Sequence, residues 1–213
     1  MDSSTLHPTV ISAKEGALPL VCQPASHRKE PLEVTHLKQL AERTDFGNIL
    51  HLRSLVMFVL TFSGFFRSSE LCLICIKHVQ FFSSYVTIFI EKSKTDQLRE
   101  NRAVVIAETR SSTCPCYLLM AYMSKAHRAG NSDDYLFRPI SSSENRKRLV
   151  SVNKPISYSA YKDSFKKSFS DIVPDISRFS TDSTRSGGAT LAANSGVSER
   201  KHSASRSLSF RRS

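Results

Sequence analysis

Apolar residues recur at helical spacing in several parts of the chain and run in short β-type stretches in between, so the pattern predicts a mixed, mainly helical fold. From Glu33 to Arg43, Leu37 and Leu40 share one face of a short amphipathic helix. Asn48 to Phe62 is apolar on most sides and reads as the central buried helix, with Leu52, Leu55, Val56, Val59 and Leu60 in the core. Gly64 breaks it. Ser68 or Ser69 then starts the next helix, with Glu70 near its positive end, which leaves Arg67 at a helix-to-helix junction. Val79 to Phe82, Tyr85 to Ile90 and Arg102 to Ala107 are rich in Phe, Val, Ile and Tyr. Separated by Ser83-Ser84 and the polar Lys92 to Asn101 stretch, they predict a small three-stranded antiparallel sheet.

Pro115 opens a helix from Cys116 to about Ala129, closed by Gly130. Tyr135 to Ile140 reads as an extended link, and Ser141 to Arg148 as a solvated polar loop carrying Arg146, Lys147 and Arg148. In Ser157 to Phe169 the residues Tyr158, Tyr161, Phe165 and Phe169 recur at three and four, giving a core-facing helix. Lys162, Lys166 and Lys167 lie on its other faces, toward phosphates or water. Residues 1–30 lack periodicity and read as a flexible leader. Residues 198–213, rich in serine and basic residues against one acid, Glu199, read as a disordered basic tail. One α+β domain, mainly α, over residues 31–197 accounts for what lies between.

Charge narrows the function. Lys and Arg number 30 against 19 Asp and Glu, a formal net charge of +11, which suits an extended polyanion better than an acidic protein or a neutral metabolite. The longest apolar window, Leu55 to Phe66, is interrupted by Thr61, Ser63 and Gly64 and falls short of the roughly 18 residues a membrane span needs. Met1 to Ser12 has no signal-peptide pattern, so an intracellular, reducing compartment is expected. Five cysteines are too odd a number for a full disulfide framework. A zinc site of Cys72, Cys75, Cys114 and Cys116 competes with a bland reading in which Cys72 and Cys75 are small hydrophobes within the apolar run Leu71 to Ile76; the bland reading leaves no metal and no cofactor.

The stretch from Ser180 to Gly196 carries the most chemistry. It sets Arg185 beside Gly187 and Gly188 at the mouth of an Ala-rich helical run, where close backbone approach and free N–H groups suit a phosphate. Before it come Gly64-Phe65-Phe66-Arg67-Ser68-Ser69-Glu70-Leu71 and Ser93-Lys94-Thr95-Asp96-Gln97-Leu98-Arg99. In this order the three blocks resemble the catalytic domain of the tyrosine recombinases, the phage-integrase family, over about Pro31 to Glu199.

The resemblance implies that fold, and DNA recombination and integration of the kind used by mobile elements; a nuclear location is a separate expectation, with Arg146, Lys147 and Arg148 readable as an import signal beside the solvated-loop reading. By it, Arg67 and Arg185 are the two arginines that hold the scissile phosphate, Glu70 the supporting acid, and Lys94 the hairpin lysine that acts as general acid. Guanidinium forks suit the charge that develops on nonbridging oxygens, and a poor alkoxide leaving group needs a proton donor. Arg67, Lys94, Arg99, Lys162, Lys166 and Arg185 form the expected DNA-binding set. The partner is double-stranded DNA, with possible association with intact recombinase relatives, no membrane and no small-molecule substrate.

Each residue also has a plain alternative: Arg67 capping a helix, Lys94 in a turn, Arg185 on a helix surface. Two departures shape the functional expectation. Asp182 occupies the position of the family's histidine, and a like charge near a bound phosphate costs about 3 kcal/mol at roughly 5 Å and an effective dielectric of about 20. No Tyr or Trp follows Tyr161 in this sequence, so no counterpart of the family's tyrosine nucleophile is expected from it, and residues 1–30 are expected to be too short and irregular to supply the family's N-terminal clamp domain. The expected function is duplex DNA binding without strand cleavage; the alternatives are an active recombinase with a different C-terminus, and a truncated product without function.

Overall fold

The computed structural model describes residues 29–91, 102–127, 130–143 and 146–196. Helix α1, Val34–Arg43, turns Leu37, Leu40 and Ala41 inward. Helix α2, Ile49–Gly64, begins where the Asn48 side chain accepts from the Leu50 N–H at 3.0 Å. It is the axis of the molecule. Leu52, Leu55, Val56, Val59 and Leu60 are all buried, as the apolar pattern predicts. Two of its hydroxyls are satisfied within the helix, Ser54 donating to the Leu50 carbonyl and Thr61 to the Met57 carbonyl.

Around α2 pack α1, α4 (Pro115–Lys125), α5 (Tyr158–Phe169) and α6 (Thr181–Asn194). Phe58 of α2 meets the rings of Tyr161, Phe165 and Phe169 at centroid distances of 5.6, 5.8 and 5.2 Å, so α5 is fastened by aromatic contacts. The Tyr161 hydroxyl pairs with Thr61 at 3.1 Å, and burial pushes its pKa up. The short α3, Ser68–Cys72, follows the last turn of α2 after a three-residue reversal.

The strands β1 (Val79–Phe81), β2 (Tyr85–Ile90) and β3 (Arg102–Ala107) form an antiparallel sheet in the order β1-β2-β3. Val79 pairs with Ile88, and Tyr85 to Ile90 pair in turn with Ala107 to Arg102. Alternation sends Val86, Ile88 and Ile106 into the core and leaves Phe89 and Val105 outside. At the end of β2, Glu91 lies 3.2 Å from Lys77 Nζ and 2.9 Å from His78 Nε2, contacts that hold its carboxyl below the ordinary carboxylate range, His78 contributing most. This fixes the point from which the chain departs into the Lys94 segment.

Three expectations are corrected. Helix α4 ends at Lys125 rather than near Ala129, because Ala126 closes it and His127 takes a left-handed conformation (φ 51°) that the Gly130 signal did not anticipate. The expected loop 141–148 belongs to a hairpin, β4 (Ile140–Ser143) with β5 (Arg146–Leu149), and Tyr135–Ile140 is therefore no mere link. Serine and basic residues carry no strand signal, so backbone pairing decides here. Tyr158 is 55% exposed, not core, since it is the first residue of α5 and projects past the packed layer. The expected leader and basic tail, and with them Lys94 and Arg99, lie outside the described residues, apart from the leader's last two positions. No helix among the described residues is long and apolar enough to cross a membrane.

Candidate nucleic-acid interface

The site is assembled at the C-terminal end of α2. Gly64 is its last residue, and a Cβ there would fall 2.3 Å from the Phe66 ring, so glycine lets the chain fold back on itself. Phe65 then adopts φ 53°, a left-handed cap that costs a non-glycine residue about 1 kcal/mol or more. This reversal aims the Phe65 carbonyl and the Arg67 side chain toward α6. Arg67 is held from below, because its N–H donates to Glu70 Oε2 at 2.7 Å, and the same oxygen lies 3.0 Å from Arg102 Nη2 at the start of β3. Glu70 thereby ties the helix junction to the sheet. Glu70→Ala is expected to lower stability by about 1–2 kcal/mol, measured by urea titration, since it strips a charged acceptor from a mostly buried N–H.

Helix α6 comes from the other side. Its glycines do not form the phosphate cradle that the sequence suggests. The helix begins at Thr181, so Gly187 and Gly188 lie in its second turn, facing protein: a Cβ on Gly187 would fall 1.9 Å from the Leu32 carbonyl oxygen, and one on Gly188 1.9 Å from that of Phe62. The glycines bring backbone against backbone, with a consequence for the site. Two residues before Gly187 on α6, Arg185 reaches the reversed chain and donates from Nε to the Phe65 carbonyl at 3.0 Å.

Arg67 and Arg185, 118 positions apart in the sequence, therefore line one cavity of about 640 Å³, with Ser68, Ser69, Cys72, Leu73, Tyr158 and Asp182. Among the described residues neither guanidinium has a carboxylate within 4.0 Å, so Asp182 does not neutralise Arg185 although both face the cavity. Asp182 sits in the first turn of α6, where the helix dipole favours an acid. Tyr158, absent from the expected site, points its hydroxyl at Thr181 Oγ1, 3.3 Å away. Its place at the start of α5, one residue after the Ser157 cap, was the only available signal. Burial pushes the Cys72 thiol up to about 11, so at neutral pH it is a neutral wall of the cavity. Lys162 and Lys166 are exposed on α5 at one and two turns from Tyr158, continuing its face away from the cavity.

The sequence matches the model of the phage integrase family over residues 30–202. The chain belongs to that family. Its integrase fold is shared with the XerH site-specific recombinase, solved bound to its difH substrate before cleavage, at a TM-score of 0.57 and 16% identity over 78% of this chain and 44% of that one. It is shared also with FLP recombinase in a Holliday junction complex, at 0.54 and 14%, covering 100% of this chain and 53% of that one. The chain thus spans about half the length of these structures. No curated protein matches it in sequence.

Proposed function

We propose that the integrase domain binds duplex DNA, with Arg67 and Arg185 gripping one backbone phosphate, and that it does not cleave the strand. The observation that carries this reading is the shared cavity: two arginines from distant parts of the chain, neither neutralised by a described carboxylate, at the positions that match the family's phosphate-binding pair. Planar guanidinium groups can offer a phosphate paired donors, which a lysine cannot. Arg185 spends one N–H on Phe65, and that bond fixes the plane from which the others act.

Lys162 and Lys166 extend the positive surface along α5, in keeping with a backbone that runs past the cavity. Lys94 and Arg99, on the segment between β2 and β3, complete the proposed contacts, with Lys94 in the role of the family's general acid. Asp182 argues against cleavage, because a carboxylate where the family has histidine removes a donor and opposes the charge of a transition state. DNA partners of this kind fit a nuclear site of action and, in relatives, joint assembly on one DNA.

Binding of a fluorescent duplex across a salt series tests the reading. Affinity should fall steeply with salt, and the double variant Lys162→Ala, Lys166→Ala should flatten the log–log slope by about one to two. A slope unchanged by the variant would remove α5 from the interface. A nicked suicide duplex should leave no covalent protein–DNA adduct on a denaturing gel; an adduct would restore the cleaving enzyme.

A further inference from the structure

We propose that the chain has a second anion site, for a small ligand bearing clustered phosphates, in the cavity at the opposite end of α2 from Arg67 and Arg185. The 16 residues of α2 separate the two places by about 24 Å. This cavity measures about 1090 Å³ and is walled by the start of α2, the end of α4 and the segment from Arg148 to Ser151. Its concave form and size fit a small molecule, not the convex edge of a duplex.

Its charge is one-sided. Lys125, His127 and Arg148 stand exposed on its rim, and Arg138, only 6% exposed, forms part of its wall. Behind Arg138 lies Arg53, 3% exposed, which donates from Nη1 to the Arg138 carbonyl at 2.6 Å. Arg138 in turn donates from Nη1 to the Ser151 carbonyl at 3.0 Å and has Asp134 at 3.5 Å. The Nε atoms of both arginines are buried without a hydrogen-bond partner. Among the described residues Asp134 pairs with Arg138, and Arg53 has no carboxylate within 4.0 Å.

Among the described residues, one acid lines the cavity against this excess. The first turn of α2 carries no acid, so its positive dipole end, capped by the neutral Asn48 side chain, borders the space. Asp45, the one acid in the lining, has an oxygen engaged by the Gly47 N–H at 2.8 Å. Buried positive charge without a counter-ion is costly, and an anion seated among Lys125, His127 and Arg148 relieves it. A single phosphate would meet one or two of these groups, whereas linked phosphates can span the rim. Leu149 and Val150 supply an apolar wall for the remainder of the ligand.

Thermal unfolding of the full chain with inorganic pyrophosphate, against chloride at equal ionic strength, tests the site. Saturating pyrophosphate should raise Tm by at least about 5 °C. The double variant Lys125→Glu, Arg148→Glu, which alters exposed side chains only, should keep its unliganded melt and lose more than half of that rise. ADP presents the same phosphate chemistry, and a larger rise with it would place a nucleoside against Leu149 and Val150. The proposal fails if pyrophosphate does no more than chloride, if the double variant keeps the full rise, or if Arg185→Ala abolishes the rise. That last result would assign the anion to the first cavity and leave duplex binding standing, so the two readings fail separately.

Discussion

Gly188→Ala should destabilise the domain by about 3 kcal/mol or more, measured by urea titration, and reduce the yield of folded protein. In an ordinary helix interior the same change adds about 0.5–1 kcal/mol of stability, since alanine loses less backbone entropy. Here the sign reverses. The new methyl carbon would sit 1.9 Å from the Phe62 carbonyl oxygen and 2.8 Å from its carbon. Both atoms belong to the backbone of a buried helix and have no rotamer to escape into. Helices α2 and α6 must separate, losing packing along their whole contact. The shift would also carry Arg185 away from the Phe65 carbonyl and open the cavity it shares with Arg67. An alanine variant as stable as the parent would mean that the two helices are not in backbone contact, and that the cavity is built some other way.

The two glycines also mark the limit of what the sequence reveals. Their value as points of close approach is legible, but what approaches is not: Leu32 and Phe62 lie far from them along the chain, and no local pattern links them. The apolar residues of α2 and the strands β2 and β3 could be read closely, because a period of two or a wholly apolar run reflects burial that the core enforces. The β4–β5 hairpin could not, because serine and basic residues carry no strand pattern, while the backbone pairs Ile140–Ser143 with Arg146–Leu149. Tyr158 keeps the helical period of Tyr161 and Phe165 yet lies beyond the core, for periodicity gives a direction around the helix and not the depth at which the packed layer ends.

At the site, Arg67 and Arg185 could be picked out by their neighbours in the sequence. Their common cavity depends on the left-handed turn at Phe65, a phenylalanine that no propensity would place there. Glu70 acts through the main chain of Arg67 and through Arg102, a link from helix junction to sheet that appears only in three dimensions.

Removal of either arginine should weaken duplex binding by about 10- to 100-fold at low salt, the worth of one charge-assisted hydrogen-bond set. Arg185→Lys should recover only part of the loss, since a point charge cannot reproduce a fork. Stability should change little for Arg67→Ala, whose guanidinium makes no ion pair with a described residue, and somewhat more for Arg185→Ala, which leaves the Phe65 carbonyl without that donor. The most direct measurement is therefore a double-mutant cycle on duplex affinity with Arg67→Ala, Arg185→Ala and the pair. If both side chains hold one phosphate, the losses should be non-additive by about 0.5 kcal/mol or more. Losses that simply add, or affinities that do not move, would contradict a shared phosphate site.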